Sequence, residues 1–244
     1  MSPEPSILTP EEHDELEQTV IVRHRLEEQY RDIEQQSETA ALGMWVFLGT
    51  EVIFFGSLFL GLGAYMYEYS DAFEKASEHL NWPMGGINMV VLVTSSLMMA
   101  LAVHHTQLGQ RRRVVMFLGL TALLGLTFLV LKGIEYYLDV RENLVPGSSF
   151  NPEEWRKEGV EPGQVQLFLL FYWIMTGLHA LHVTIGVAAV LTIAVLAWQG
   201  RFSAVYYSPV DVTGLYWHFV DIVWIFLYPM LYLSCTHFAK DLHF

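Results

Sequence analysis

The stretch GLYWHFVDIVWIFLYPMLYL, residues 214–233, decides how the chain must be read. It is apolar and long enough to cross a bilayer, whose hydrocarbon core takes roughly 20 helical residues. Yet His218 and Asp221 lie inside it, flanked by Trp217 and Trp224. Ionisable side chains at membrane depth are costly; they face a bundle interior and find partners there. His218 and Asp221 stand three apart, on one helical face. They are expected to pair with each other or to reach another helix together. Replacing Asp221 by leucine should then leave its partner stranded. Trp217, Asp221, Trp224 and Tyr228 form a stripe at helical spacing, and Pro229 is expected to kink the helix near its end.

The rest of the chain agrees with a membrane reading. Of 244 residues, 53% are hydrophobic, 14% aromatic and only 16% charged, too apolar for an ordinary soluble domain. The net charge of −13 is unevenly spread: residues 1–40 hold eleven acidic side chains and three arginines. No basic tract points to nucleic acid. Cys235 is the one cysteine, so no internal disulfide or cysteine-based metal motif can form. The N-terminal residues lack the basic and short apolar regions of a cleaved signal peptide, so the first span is expected to act as its own insertion signal.

Five runs are apolar enough to span, at about 42–67, 84–108, 114–138, 165–198 and 212–238. A lipid-exposed backbone must satisfy its own hydrogen bonds, so they must be helices; the short alternating segments of a barrel are missing. Residues 42–244 thus read as a five-helix membrane domain. Residues 1–41 read as an acidic N-terminal extension with a helix capped at Thr9, Pro10 and Glu12. Leu16, Val20, Leu26, Tyr30 and Ile33 give that helix a sparse apolar stripe, suited to a partner or the membrane surface, or simply solvated. Arg111, Arg112, Arg113 and Arg201 lie in the connections on one side, which places that side and the N-terminus in the cytoplasm and the C-terminus outside.

Ionisable residues inside the spans are the candidate site. Glu51 lies roughly 14 Å from the inner end of the first helix. A proton-handling group and a structural hub both fit it. His104 and His105 end the second helix just before the arginines, where anionic headgroups or ordinary interfacial anchoring would suit them. Lys132 and Glu135 are spaced for an ion pair, although Lys132 could instead snorkel outward. His179 and His182 share a face with Thr176 and Gly186. Gly186 would admit a close helix, and interhelical hydrogen bonding is preferred over a metal, because the zincin and di-iron patterns are both missing. From the residues alone, a transporter, a redox subunit and a scaffold all remain open.

Several segments together resemble one family. GLHALHVTIG (177–186) and GLYWHFVDIVWIFLY (214–228) resemble its two histidine-bearing signatures. GTEVIFFGSLF (49–59), AVHHTQLG (102–109) and KGIEYY (132–137) resemble its further motifs, in the right order. The sequence thus resembles subunit III of the haem–copper terminal oxidases, in its five-helix bacterial form, from about Gly43 to Tyr232. Longer members carry two additional helices first, and Ala180 replaces the usual glycine.

The resemblance implies an all-α bundle in two helix groups around a lipid-filled V-shaped cleft. It implies no haem, copper, other metal or catalytic residue in this chain, with haem and copper in partner subunits and structural phospholipids bound here. The main partner would be subunit I, beside other subunits of a proton-pumping oxidase in the bacterial cytoplasmic membrane. Glu51, Glu135, His182, His218 and Asp221 would form intramembrane hubs or serve proton uptake. Glu51, His104, His105, Arg111, His182, Trp217, His218 and Trp224 would meet lipid. A cytochrome c oxidase, a quinol oxidase and an accessory protein of nitric oxide reductase would share these helices; a free-standing ion transporter built on Glu51 and Asp221 is the reading from another class.

Overall fold

The computed structural model describes residues 29–147, 150–203 and 206–233. Its elements are α1 (Ile33–Glu68), α2 (Ser70–Glu78), α3 (Trp82–Gln107), α4 (Arg111–Arg141), α5 (Pro152–Lys157), α6 (Pro162–Trp198) and α7 (Ser208–Tyr228), closed by a π turn at Pro229–Leu233. Five of them, α1, α3, α4, α6 and α7 with its π turn, are long and apolar enough to cross a membrane. The chain is an all-α, multi-pass membrane bundle.

Local chemistry sets the helix ends. The Asp32 carboxylate accepts the Gln35 amide at 2.7 Å, and Asn81 Oδ1 accepts the Met84 amide at 3.2 Å. Both are N-cap bonds that satisfy donors the helix leaves open. The Asp32 cap moves the start of the first spanning helix ahead of the apolar run: residues 33–41, expected in the extension, are its opening turns. The expected cap at Thr9 and most of the extension's stripe lie outside the described residues, as do Cys235 and the last part of the fifth expected span. Gly200, at φ 77°, ends α6 in the left-handed conformation glycine favours. At Pro229 the helix does not simply kink. Proline offers no amide hydrogen, and the backbone widens into the π turn there.

The antiparallel hairpin of α3 and α4 is the most extensively packed pair. α4 lies on α6, and α7 fills the space against α3 and α6. The junction is the Trp217 indole. It is 1% exposed and donates through Nε1 to Ser95 Oγ at 3.1 Å, while Ser95 donates to the Thr121 carbonyl at 3.3 Å. Two glycines make room for the ring. A Cβ on Gly125 would sit 2.6 Å from Trp217 Cη2 and 2.8 Å from Val187, and one on Gly186 would sit 3.0 Å from the same indole. The close approach expected at Gly186 is therefore real, and the group that approaches is a tryptophan.

α1 is the outlier. It buries only Leu48, Phe55 and Leu62, a stripe at heptad spacing that leans on α7 and, less, on α6. Its other apolar side chains, Trp45, Ile53 and Leu60 among them, are exposed. Grooves run along both sides of α7. One, of about 300 Å³, separates it from α1 and is lined by Val52, Phe55, Phe59, Phe219 and Phe226. The other, of about 350 Å³, lies against α3. Ile222 lines both.

Because the indole has no free volume to retreat into, Gly125→Val should cost about 1–3 kcal/mol by overpacking. Thermal unfolding of the solubilised complex measures it; an unchanged midpoint would mean the indole is not wedged.

Candidate functional site: intramembrane polar clusters

The first cluster ties α1 to α6. Glu51 Oε2 lies 3.2 Å from His182 Nε2, and both side chains are largely buried. His182 Nδ1 lies 2.8 Å from the Leu178 carbonyl, which can only accept, so Nδ1 carries a hydrogen. A second proton then sits between Nε2 and the carboxyl. Either Glu51 is a neutral acid donating to the imidazole, or an imidazolium donates to the carboxylate. Phe55 meets the His182 ring edge-on at 5.2 Å, and the Tyr216 hydroxyl donates to the His182 carbonyl at 3.0 Å. α7 therefore joins the contact.

The second cluster is built on Lys132. Its ammonium lies 3.2 Å from Glu135 Oε1 and donates to the Tyr172 hydroxyl at 3.1 Å and the Tyr232 hydroxyl at 2.7 Å. The rings of Tyr136, Tyr172, Trp224 and Tyr232 surround it, with centroids 5.0, 4.7, 5.5 and 5.4 Å from Nζ. A buried cation over an aromatic face can gain about 2 kcal/mol, whereas toward Tyr232 the ammonium lies end-on, at the hydroxyl. Asp139 enters through Tyr172, whose hydroxyl lies 2.7 Å from Asp139 Oδ2. The spacing of Lys132 and Glu135 had announced the pair. Snorkelling does not occur, since Lys132 is 1% exposed. Asp139, Tyr172 and Tyr232 were missed. Asp139 falls on the same face as Lys132 and Glu135, a signal that was readable; the tyrosines come from α6 and the π turn and left none.

The third cluster follows the second of the two expectations, a reach to another helix. His218 and Asp221 do not pair. His218 Nδ1 meets the Ser96 hydroxyl on α3 at 2.6 Å. Asp221 is 3% exposed, and neither of its carboxyl oxygens has a hydrogen-bond partner. All three residues line the groove between α3 and α7, beside Val93, Leu97, Ala100 and Ile225. The i, i+3 spacing puts both side chains on one face, and Ser96 of α3 lies against both, bonding the imidazole and acting on the Asp221 carboxyl as well.

The remaining predicted residues are dispersed. His179 makes no hydrogen bond; it is sealed between Phe128, 5.5 Å away, and Trp224, 5.0 Å away. Of the interhelical hydrogen bonding expected of the two histidines, His179 makes none and His182 makes it with Glu51 on α1. Trp217 and Trp224 are both buried in the bundle, contrary to their expected place against lipid. His104 is exposed, while His105 bonds the Leu101 carbonyl at 2.8 Å and lies 3.4 Å from Arg113. Arg111 donates to the Ala197 carbonyl at 3.1 Å and so caps the C-terminal end of α6, where a cation is favoured. Among the described residues no three His, Cys, Asp or Glu side chains gather as a metal would require.

The profile of the family Cytochrome c oxidase subunit III matches residues 166–236. A cytochrome c oxidase subunit 3 from Osphranter robustus is 30% identical over 202 residues, 78% of this chain and 67% of that protein. The chain belongs to the cytochrome c oxidase subunit III family. A cytochrome c oxidase subunit 3 from Bacillus sp. (strain PS3) is 28% identical over 83% of this chain and 89% of its own length. A quinol oxidase subunit 3 from Bacillus spizizenii is 29% identical over 82% of this chain and 91% of its own length. The matched segment holds His182, Tyr172 and all of α7, so each of the three clusters takes at least one residue from it.

The geometry separates two substitutions of buried ionisable residues. His182→Leu strands Glu51 and should cost about 1–3 kcal/mol. Asp221→Leu removes a buried carboxyl without leaving a charged partner behind, so its loss should be clearly smaller than that of His182→Leu. Thermal unfolding of the two variants side by side decides; equal losses would contradict the assignment of partners.

Proposed function

We propose that the chain is the non-redox subunit III of a proton-pumping cytochrome c oxidase, in which subunit I reduces oxygen to water. The observation that carries this reading is the Glu51–His182 pair, held between α1 and α6 in a chain of the subunit III family. A carboxyl and an imidazole that share one proton at membrane depth can hold a proton or fasten two helix groups without any redox centre. The haem and copper would belong to partner subunits, and no electron-transfer step falls to residues of this chain.

In this reading the groove between α1 and α7 takes phospholipid acyl chains, which its phenylalanines suit. It would also give oxygen an apolar way toward subunit I. The exposed apolar side chains of α1 would meet subunit I or lipid. The arginine-bearing end of α4 would face the cytoplasm of a bacterial cell, with His104 exposed there toward headgroups. A quinol oxidase is the second reading, favoured by relatives of that name, such as one from Bacillus subtilis that is 29% identical over 82% of this chain. An accessory protein of nitric oxide reductase is the further alternative.

Purification of the tagged chain from its native membranes tests the proposal. It should bring down a haem-bearing subunit in equal amount, and the complex should oxidise reduced cytochrome c with oxygen uptake. Oxidation of quinol alone would move the chain to the second reading, and recovery without any haem protein would overturn both.

A further inference from the structure

Lys132, Glu135 and Asp139 share one face of α4 and are 1%, 1% and 4% exposed. They bring one cation and two carboxyls together in the enclosed interior of the bundle. If both carboxyls were ionised, the cluster would bury one unbalanced negative charge, which is costly and is avoided by holding a proton. The groups facing them do not supply a second cation. From α6 come Tyr172 and, behind it, the unbonded His179; from α7 Trp224; from the π turn Tyr232; from α4 itself Tyr136. Glu142, just past the end of α4, adds a further negative charge. Among the described residues Lys132 is the cation that Glu135 pairs with.

The hydrogen bonds also come out one proton short. The Tyr172 hydroxyl has a single hydrogen, yet it lies 2.7 Å from Asp139 Oδ2 and 3.1 Å from Glu135 Oε1. Its oxygen already accepts from Lys132. Glu135 Oε1 also receives the Tyr232 hydroxyl at 2.5 Å, whereas Glu135 Oε2 is enclosed and has no partner. An ionised carboxylate with one enclosed, unbonded oxygen is much less stable than a neutral carboxyl in the same place.

We propose that Lys132, Glu135 and Asp139 form a proton-binding site, separate from Glu51 and His182, that holds one exchangeable proton shared between Asp139 and Glu135 through the Tyr172 hydroxyl. Asp139 lies two residues before the end of α4 and is the least enclosed of the three, so the proton enters there. Asp139, once protonated, gives its hydrogen to Tyr172 Oη as Tyr172 gives its own to Glu135 Oε1. Asp139 returns to a carboxylate, Glu135 becomes a carboxylic acid, and Tyr172 is unchanged. One proton has moved, Lys132 keeps its charge, and the cluster stays neutral throughout. The site lies at the end of α4 remote from Arg111, and it does not depend on which donor reduces the complex.

Infrared spectroscopy of protonated carboxyl groups tests this in the purified complex, with exchange into heavy water. Asp139→Asn and Glu135→Gln should each lose one protonated carboxyl relative to the parent, because Lys132 alone balances the carboxylate that remains. The double variant should lose no more than either single one. An unchanged signal in Asp139→Asn would show that Asp139 shares no proton with Glu135, whether both are ionised or Glu135 alone is protonated, and would overturn the site. A loss of two in the double variant would show both neutral and overturn it equally. If Glu135→Gln does not assemble, Lys132→Met replaces it: removal of the cation should add one protonated carboxyl, and no gain would count against the proposal.

Discussion

In the interior of a membrane protein no water is at hand to take up an unpaired charge, and the Lys132 cluster is built on that constraint. One ammonium holds a carboxyl of its own helix, a tyrosine of α6 and a tyrosine of the π turn, inside a ring of aromatic faces. Removing one partner forces the remaining groups to pair again or to take up a proton, which costs stability because their hydrogen bonds are fitted to the full set. The cluster therefore fixes how α4, α6 and the end of α7 meet. The π turn at Pro229 has a place in the same arrangement, since it carries the Tyr232 hydroxyl that reaches both Lys132 and Glu135.

Away from that cluster the bundle is held by shape. Trp217 lies over two glycines and bonds to a serine that bonds to a threonine carbonyl, so α3, α4, α6 and α7 converge on one indole. α1 is attached more lightly, by a sparse apolar stripe and one polar clasp, Glu51 with His182. That division gives the bundle two parts with an apolar groove between them. A helix held by few contacts can shift against its neighbours at little cost, and the one titratable clasp lies at that boundary.

Much of this was legible in the sequence, for physical reasons. Spans follow from hydropathy because lipid demands it, and all five were found. The start of α1 was not, because a polar cap at Asp32 rather than an apolar residue sets it. Within one helix, spacing sufficed: Lys132 with Glu135, and the open face at Gly186. Between helices it did not. Glu51 and His182 were both singled out, but nothing local joins residues so far apart along the chain. For Asp221 and His218, spacing fixed only a shared face and left a mutual pair or a reach to another helix open; the fold makes the reach, with Ser96 of α3 bonding the imidazole. Tyr172 and Tyr232 read as ordinary interfacial or core aromatics until the fold brought their hydroxyls to Lys132.

Charges buried in the bundle act as mutual partners that join its helices. A double-mutant cycle on Lys132→Met and Glu135→Leu, read by thermal unfolding of the solubilised complex, tests it most directly. The account predicts that the double variant is less damaged than the sum of the single ones, with a coupling energy of about 1–3 kcal/mol. Additive losses would contradict it, for they would mean that each residue is held by its surroundings and not by the other.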